Sequence, residues 1–201
     1  YANFGLVSVV IMPEAIFSQN NLLCSFFSFS TKSGKASFIW STGNCSPITP
    51  VEAKIKSLIL TANGKLFCGG GDLKFLHESK DNIKKTLLEM THYFHGAIAR
   101  MVRMAAPVII GINGTAGGGG FSLAITGDII YAVKDAKFTL AYTNAGLSPD
   151  GSSTYYLPRI VGMKKAKELM LTNRLFSAEE AHDMGLIDLV FNSNEELNEA
   201  I

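Results

Sequence analysis

Hydrophobic and polar positions divide the chain into two kinds of sequence that meet near Pro50. Ahead of it, the apolar stretch Gly5–Met12 reads as one strand. The Ser- and Phe-rich stretch Ser25–Ser41 follows neither a helical nor a strand period. After Val51 the pattern becomes regular. The short apolar run Ser57–Thr61 ends at the turn residues Ala62, Asn63 and Gly64, as a buried strand does. From Asp81 to Met104, Ile83, Leu87, Leu88, Phe94, Ile98, Met101 and Val102 fall near helical spacing, and Pro107 then opens a strand, Val108–Ile112. Further on the pattern predicts a helix over Phe121–Thr126, a strand over Ile129–Val133, and helices around Met163–Leu171 and Ser177–Met184. Ser177 and Glu180 have the spacing of a capping box, and Gly185 stands where that last helix should stop. Strands alternating with helices imply an α/β fold built on crossovers. No internal repeat is evident.

Composition narrows the class. At 201 residues the chain is long enough for one to one and a half domains, and 47% hydrophobic against 17% charged residues excludes disorder. Eighteen Lys and Arg against seventeen Asp and Glu give no general field for nucleic acid. Charge is unevenly placed: residues 1–50 hold only Glu14, Lys32 and Lys35, and no function is assigned to that segment. Cys24, Cys45 and Cys68 are odd in number and lack paired spacing, which argues against a disulfide framework or zinc site and favours a reducing compartment. No apolar run reaches membrane-spanning length. The sequence opens on Tyr1 and closes at Ile201 in a polar, helix-like stretch, so either end is expected to be incomplete.

Two glycine runs, Gly69–Gly71 and Gly117–Gly120, are the first candidates for chemistry. Each follows a predicted strand, and the second leads into a helix, where exposed backbone N–H groups and the helix end suit an anion. Close helix–sheet packing explains the same glycines equally well. Neither GxxxxGK[ST] nor GxGxxG occurs there, so nucleotide phosphate is unsupported. Gly120-Phe121-Ser122-Leu123-Ala124 is a near miss to a GxSxG elbow, with Ser122 as a weak candidate nucleophile. His92 and His95 lie three apart on the long helix; with no third ligand evident they read as a surface pair, and no metal is expected. Cys68 reads as a small buried filler, with a reactive thiol as the alternative. Pro149-Asp150-Gly151 reads by itself as a turn, and Asp150 is placed to cap a helix through Ser153.

The string Leu60–Leu73 (LTANGKLFCGGGDL) and the string Pro107–Gly120 (PVIIGINGTAGGGG) together resemble the enoyl-CoA hydratase/isomerase, or crotonase, family. Gly127-Asp128-Ile129, Ala136-Lys137-Phe138, Leu157–Gly162 and Ser177–Ala181 to Ile187 follow in the family's order. The resemblance implies a ClpP-like spiral of ββα units over residues 51–191, after a divergent N-terminal segment 1–50. Residues 192–201 would begin a truncated C-terminal helical region. It implies an acyl-CoA thioester whose carbonyl accepts hydrogen bonds from the N–H groups of Gly71 and Gly119. Removing a proton beside a thioester makes an enolate, and preorganised donors act most strongly where that charge develops. Gly69, Asp72 and Lys74 are expected to contact coenzyme A, and Gly118, Ser122 and Tyr142 to line the substrate.

Where the family's hydratases carry two glutamates, this sequence has Ser122 and Tyr142, neither of which is a carboxylate base at neutral pH. The resemblance instead favours Asp150 as the catalytic acid–base, shuttling a proton in an enoyl-CoA isomerase. Hydration, ring-type isomerisation or dehalogenation, and acyl-CoA binding without turnover are the alternatives. Coenzyme A enters as part of the substrate, with no other cofactor. Neither nucleic acid nor membrane is expected as a partner. A homotrimer or hexamer is expected of the full-length chain, in the cytoplasm, or in mitochondria or peroxisomes of a eukaryote.

Overall fold

The computed structural model describes residues 7–12, 28–30, 57–71 and 73–201. The expected first strand is present as β1 (Val7–Met12), with β2 (Ser28–Ser30) antiparallel to it. The remainder of the Ser- and Phe-rich stretch lies outside the described residues.

After Val51 the strands come in pairs. Each first strand enters a large sheet and each second strand a small one: β3 (Ser57–Ala62) with β4 (Leu66–Cys68), then α1 (Leu73–Glu78) and α2 (Ile83–Met101). The pair β5 (Val108–Ile112) and β6 (Thr115–Gly117) is followed by α3 (Gly119–Ala124). The pair β7 (Ile129–Val133) and β8 (Lys137–Thr139) is followed by α4 (Ser153–Val161) and α5 (Met163–Thr172). The described residues close with β9 (Phe176–Ser177), α6 (Ala178–Asp183), β10 (Leu189–Phe191) and α7 (Asn194–Ala200). This is a spiral of ββα units. The large sheet runs β10-β7-β5-β3-β1-β2 and is parallel except for β2. In the small sheet, β4-β6-β8-β9, the first three strands are parallel.

Apolar runs become large-sheet strands because a parallel sheet is covered on both faces, as the nearly continuous burial of β3 and β5 shows. Leu58, Leu60, Ile110 and Ile112 are accordingly buried. The long helix buries Met90, Phe94, Ile98 and Met101, a stripe at i, i+4, i+8 and i+11. Phe121 of α3 packs edge-on against Phe138 of β8 and Phe176 of β9, seating that short helix on the small sheet. Strand starts are stitched by aspartates: Asp128 Oδ2 accepts the Val108 N–H at 2.8 Å, and Asp188 Oδ2 accepts the Ile130 N–H at 2.7 Å.

Several expectations change in detail. The long helix starts at Ile83, after a 3-10 turn over Lys80–Asn82. The helix expected from Phe121 begins at Gly119, so two glycines of the second run are helical. Helix α4 escapes a pattern reading because Pro158 stands inside it. Half of the capping box forms: Ser177 Oγ accepts the Glu180 N–H at 3.1 Å, but Arg174 takes the Glu180 carboxylate. Asp150 does not cap α4 with its side chain. Its backbone carbonyl accepts from Ser153 N–H at 3.0 Å and from Ser153 Oγ at 2.7 Å.

Two predictions follow from this packing. A Cβ on Gly120 would stand 2.2 Å from the Cys68 carbonyl oxygen, whereas one on Gly69 would meet nothing within 4 Å. Gly120→Ala should therefore lower the urea midpoint by the equivalent of about 1–3 kcal/mol or more, with Gly69→Ala near neutral. Arg174 joins Glu168 of α5 and Glu180 of α6, its Nε at 2.5 Å from Glu168 and its other nitrogens at 2.5 and 3.0 Å from Glu180. These hydrogen bonds hold both carboxyls below the ordinary value of 4.5. A carboxyl lowered in the folded state adds stability that is complete above its unfolded value and lost as pH falls through the folded one. Arg174→Met should flatten the fall in stability below about pH 4.5, measured as urea midpoint against pH.

Candidate functional site

The carboxyl ends of β4, β6 and β8 lie side by side, because these three strands are parallel neighbours. Chain leaving β4 carries Gly69–Gly71, chain leaving β6 carries Gly118 and Gly119, and chain leaving β8 carries Tyr142 and then Asp150. Carboxyl ends of parallel strands are where α/β folds present loops to ligands.

The glycine loops touch. Gly70 has φ +95°, and a Cβ there would stand 2.9 Å from the Gly119 nitrogen and 3.0 Å from the Gly117 carbonyl oxygen. A side chain at Gly70 would thus wedge the loops apart. Gly119 is the first residue of α3, so its N–H has no acceptor within the helix. Gly118, by contrast, spends its N–H on the Thr139 carbonyl at 3.1 Å. Gly69 borders open space. Asp72 lies outside the described residues, and Lys74 is placed at the start of α1 by its backbone alone.

Behind these loops runs α2. A Cβ on Gly71 would meet Met90 Cε at 3.6 Å, and one on Gly119 would meet Phe94 Cζ at 3.5 Å. The same ring reaches the third loop: Gly151, with φ +57°, admits no Cβ, which would stand 2.5 Å from Phe94 and 2.8 Å from Ser122 Cβ. Phe94 is therefore shared by the Gly119 amide and the turn that carries Asp150. The next residue of α2, His95, places Nε2 3.1 Å from Asp150 Oδ2 and 3.3 Å from the Gly151 nitrogen. One nitrogen serves only one of these at a time. Protonated, it donates to an Asp150 carboxylate; bare, it accepts the Gly151 N–H or a proton held by Asp150. Asp150 is about 29% exposed, open enough to exchange a proton with a ligand.

Ser122 and Tyr142 are sealed beneath this surface. Ser122 is fully buried, Tyr142 is buried, and their hydroxyl oxygens lie 2.7 Å apart. Burial first, and the neighbouring Asp150 carboxylate after it, hold the Tyr142 phenol above its ordinary range, against the opposing hydrogen bond from Ser122. An elbow nucleophile needs an exposed Oγ on a histidine, so the serine-nucleophile alternative does not fit. His92 turns to the Tyr93 ring while His95 turns to Asp150, so the two do not act as a pair. Met90 and His95 are the site residues that motif reading missed. Helical spacing marks Met90 as a buried-face position, but only the folded chain brings His95 to a residue 55 positions away. A polar groove lined by Glu78, Asp81, Lys85 and Glu89 lies where α1, the 3-10 turn and the first turns of α2 meet. Its acidic lining does not suit phosphate-bearing ligands.

Fold and site together define a class: an α/β spiral of ββα units with glycine amides gathered at neighbouring strand ends. Residues 50–201 match the family model for Enoyl-CoA hydratase/isomerase, and the chain belongs to that family, with its crotonase fold. It is 37% identical over 134 residues to 1,2-epoxyphenylacetyl-CoA isomerase of Escherichia coli K12, covering 66% of this chain and 51% of that one. It is 34% identical over 138 residues to 4-chlorobenzoyl coenzyme A dehalogenase-1 of an Arthrobacter species, covering 68% and 50%. The solved enoyl-CoA hydratase of Bacillus anthracis superposes with a TM-score of 0.69 at 33% identity, over 75% of this chain and 57% of that one. The chain thus spans about half the length of the curated relatives it matches. Among the described residues, no helix is long and apolar enough to cross a membrane.

The Cys68 thiol lies under the first glycine loop. Burial pushes it up to about 11, although the Gly70 N–H donates to its sulfur at 3.4 Å. Little thiolate exists near neutrality, so iodoacetamide at about pH 8 should leave Cys68 unmodified in the folded protein and label it after unfolding. Site-resolved peptide mass spectrometry reads this directly.

Proposed function

We propose that the chain isomerises an enoyl-CoA thioester, moving a double bond from the β,γ to the α,β position with Asp150 as the acid–base. The observation that carries this reading is the Phe94 ring, which lies against both Gly119 and Gly151 and so ties the Asp150 turn to the glycine amides. The Asp150 carboxylate removes a proton from the carbon next to the thioester. The released electron pair runs to the carbonyl oxygen, and the resulting dienolate is held by the N–H groups of Gly71 and Gly119. Asp150 then returns the proton two carbons further along, where the chain had been unsaturated, and the net composition is unchanged. Each amide is worth about 2.7–4 kcal/mol in comparable oxyanion sites.

Isomerisation needs one base and no activated water. The residues at hand fit that requirement: Ser122 and Tyr142 bind each other, and Asp150 is carried by the turn that Phe94 ties to Gly119. The first loop, with Gly69, Asp72 and Lys74, takes the coenzyme A end of the substrate in this reading. A second reading, ring isomerisation or dehalogenation of an aromatic acyl-CoA, draws support from the relatives that bear those names.

Turnover of a 3-enoyl-CoA by the parent, followed at the absorbance of the conjugated product, is the test. Asp150→Asn should lower kcat by about 10²- to 10⁴-fold with the thioester still bound. An unchanged rate in that variant would overturn the assignment. Product analysis with aromatic acyl-CoA thioesters separates the second reading, and binding without any turnover would point to a non-catalytic acyl-CoA protein.

A further inference from the structure

The hydroxyl pair beneath the site poses a question of hydrogen inventory. Ser122 and Tyr142 each carry one O–H, their oxygens are 2.7 Å apart, and either can donate. One hydrogen lies between them. The other needs an acceptor, because a buried unsatisfied hydroxyl forfeits the hydration it had in the unfolded chain.

Three observations indicate where it goes. The turn that carries Asp150 rests directly on Ser122, since a Cβ on Gly151 would stand 2.8 Å from Ser122 Cβ. The Tyr142 backbone carbonyl accepts the N–H groups of Ala145 and Leu147 at 2.9 and 3.0 Å, folding the chain back after Tyr142 on its way to Asp150. Burial and, after it, the charge and hydrogen-bonding influence of the Asp150 side chain hold the phenol above its ordinary range, as for a phenol that keeps its proton on that side. If Tyr142 donated to Ser122, phenol lone pairs would face a carboxylate. If Ser122 donates to Tyr142, the phenol hydrogen is free for the carboxylate, and the hydrogen bonds run in one direction.

We propose that Tyr142 is a positioning residue for Asp150: the Ser122 hydroxyl donates to the phenol oxygen, and the phenol donates to the Asp150 carboxylate. This inference rests on the reading of Asp150 as the base. A carboxylate has about four lone-pair directions, so a phenol and the His95 ring together still leave it able to take a substrate proton. Chained hydrogen bonds strengthen one another in a low-dielectric interior, so Ser122 contributes although it touches neither the carboxylate nor the ligand. The carboxylate is thereby held from two sides, by α2 through His95 and by the small-sheet side through Tyr142.

The test compares Tyr142→Phe, Ser122→Ala and their combination with the parent and with Asp150→Asn. Tyr142→Phe should lower kcat with a 3-enoyl-CoA by about 10- to 100-fold, the scale of a misplaced catalytic group, with KM within about twofold. Ser122→Ala should lose less, and the double variant should match Tyr142→Phe alone, because Ser122 acts only through the phenol. The Asp150 carboxyl ¹³C signal, assigned by its disappearance in Asp150→Asn, should move in both single variants. An unmoved signal in Tyr142→Phe, or losses in kcat that multiply, would overturn the proposal. Should Tyr142→Phe fail to fold, the same signal in Ser122→Ala decides, moved in favour and unmoved against. If Asp150→Asn retains the parent rate, the isomerase reading falls, while the ¹³C signal still decides the hydrogen-bond chain by itself.

Discussion

The contact between two stretches of bare backbone is the constraint on which the site depends. Strands β4 and β6 run parallel, with Leu66 beside Thr115 and Cys68 beside Ala116, so their chains leave the sheet as close neighbours. Adjacent strands are about 4.8 Å apart. Side chains beyond the strand ends would force the loops to diverge, whereas glycines let strand spacing continue into amide spacing. Gly70 against Gly119, and Gly120 against the Cys68 carbonyl, are the points where that continuation has no room for even a methyl group. Helix α2 can then lay one face across both loops, with Met90 on the first and Phe94 on the second.

Sequence pattern captured the long strands of the large sheet and missed the short ones of the small sheet for a definite reason. Runs of five or six apolar residues such as Val108–Ile112 show a period; the three-residue strands Leu66–Cys68, Thr115–Gly117 and Lys137–Thr139 are too short to do so. Those three form the parallel part of the small sheet, the part that positions the site. The repeating ββα unit was hidden as well, because its helices range from the nineteen residues of α2 to the six of α3. Gly71 and Gly119 were singled out by resemblance, since spacing alone left the glycine runs open to anion binding or tight packing. Asp150 was legible as a turn, while the resemblance alone offers it as a base, and the two are compatible: Gly151 takes the positive φ of the turn while the carboxylate faces His95.

The burial of Ser122 and Tyr142 bears on the single base proposed for the site. A carboxylate at the fully buried position of Ser122 would lose hydration worth several kcal/mol, repaid only by well-placed partners. Two hydroxyls at 2.7 Å share one hydrogen bond at far smaller cost and bring no second charge beside Asp150. The chemistry open to the site is narrowed by this choice. Among the described residues, Asp150 with His95 against it is the acid–base pair on which the proposed proton transfer at carbon rests.

The segment between β8 and α4 contains no β-strand or α-helix, only a 3-10 turn over Thr143–Ala145, yet it must hold a carboxylate in place. It does so under strain. Ala141 and Ser152, at φ +55° and +71°, bracket Tyr142 and Asp150, and such backbone costs about 1–3 kcal/mol per residue. What offsets the strain is a set of local bonds: two N–H groups on the Tyr142 carbonyl and both donors of Ser153 on the Asp150 carbonyl. Because the main chain at each of the two residues is already anchored, their side chains need not stabilise the loop. The Asp150 carboxylate is thus spared a capping role that its turn sequence would otherwise assign to it, and it remains available to His95 and to the phenol and proton transfer proposed for it.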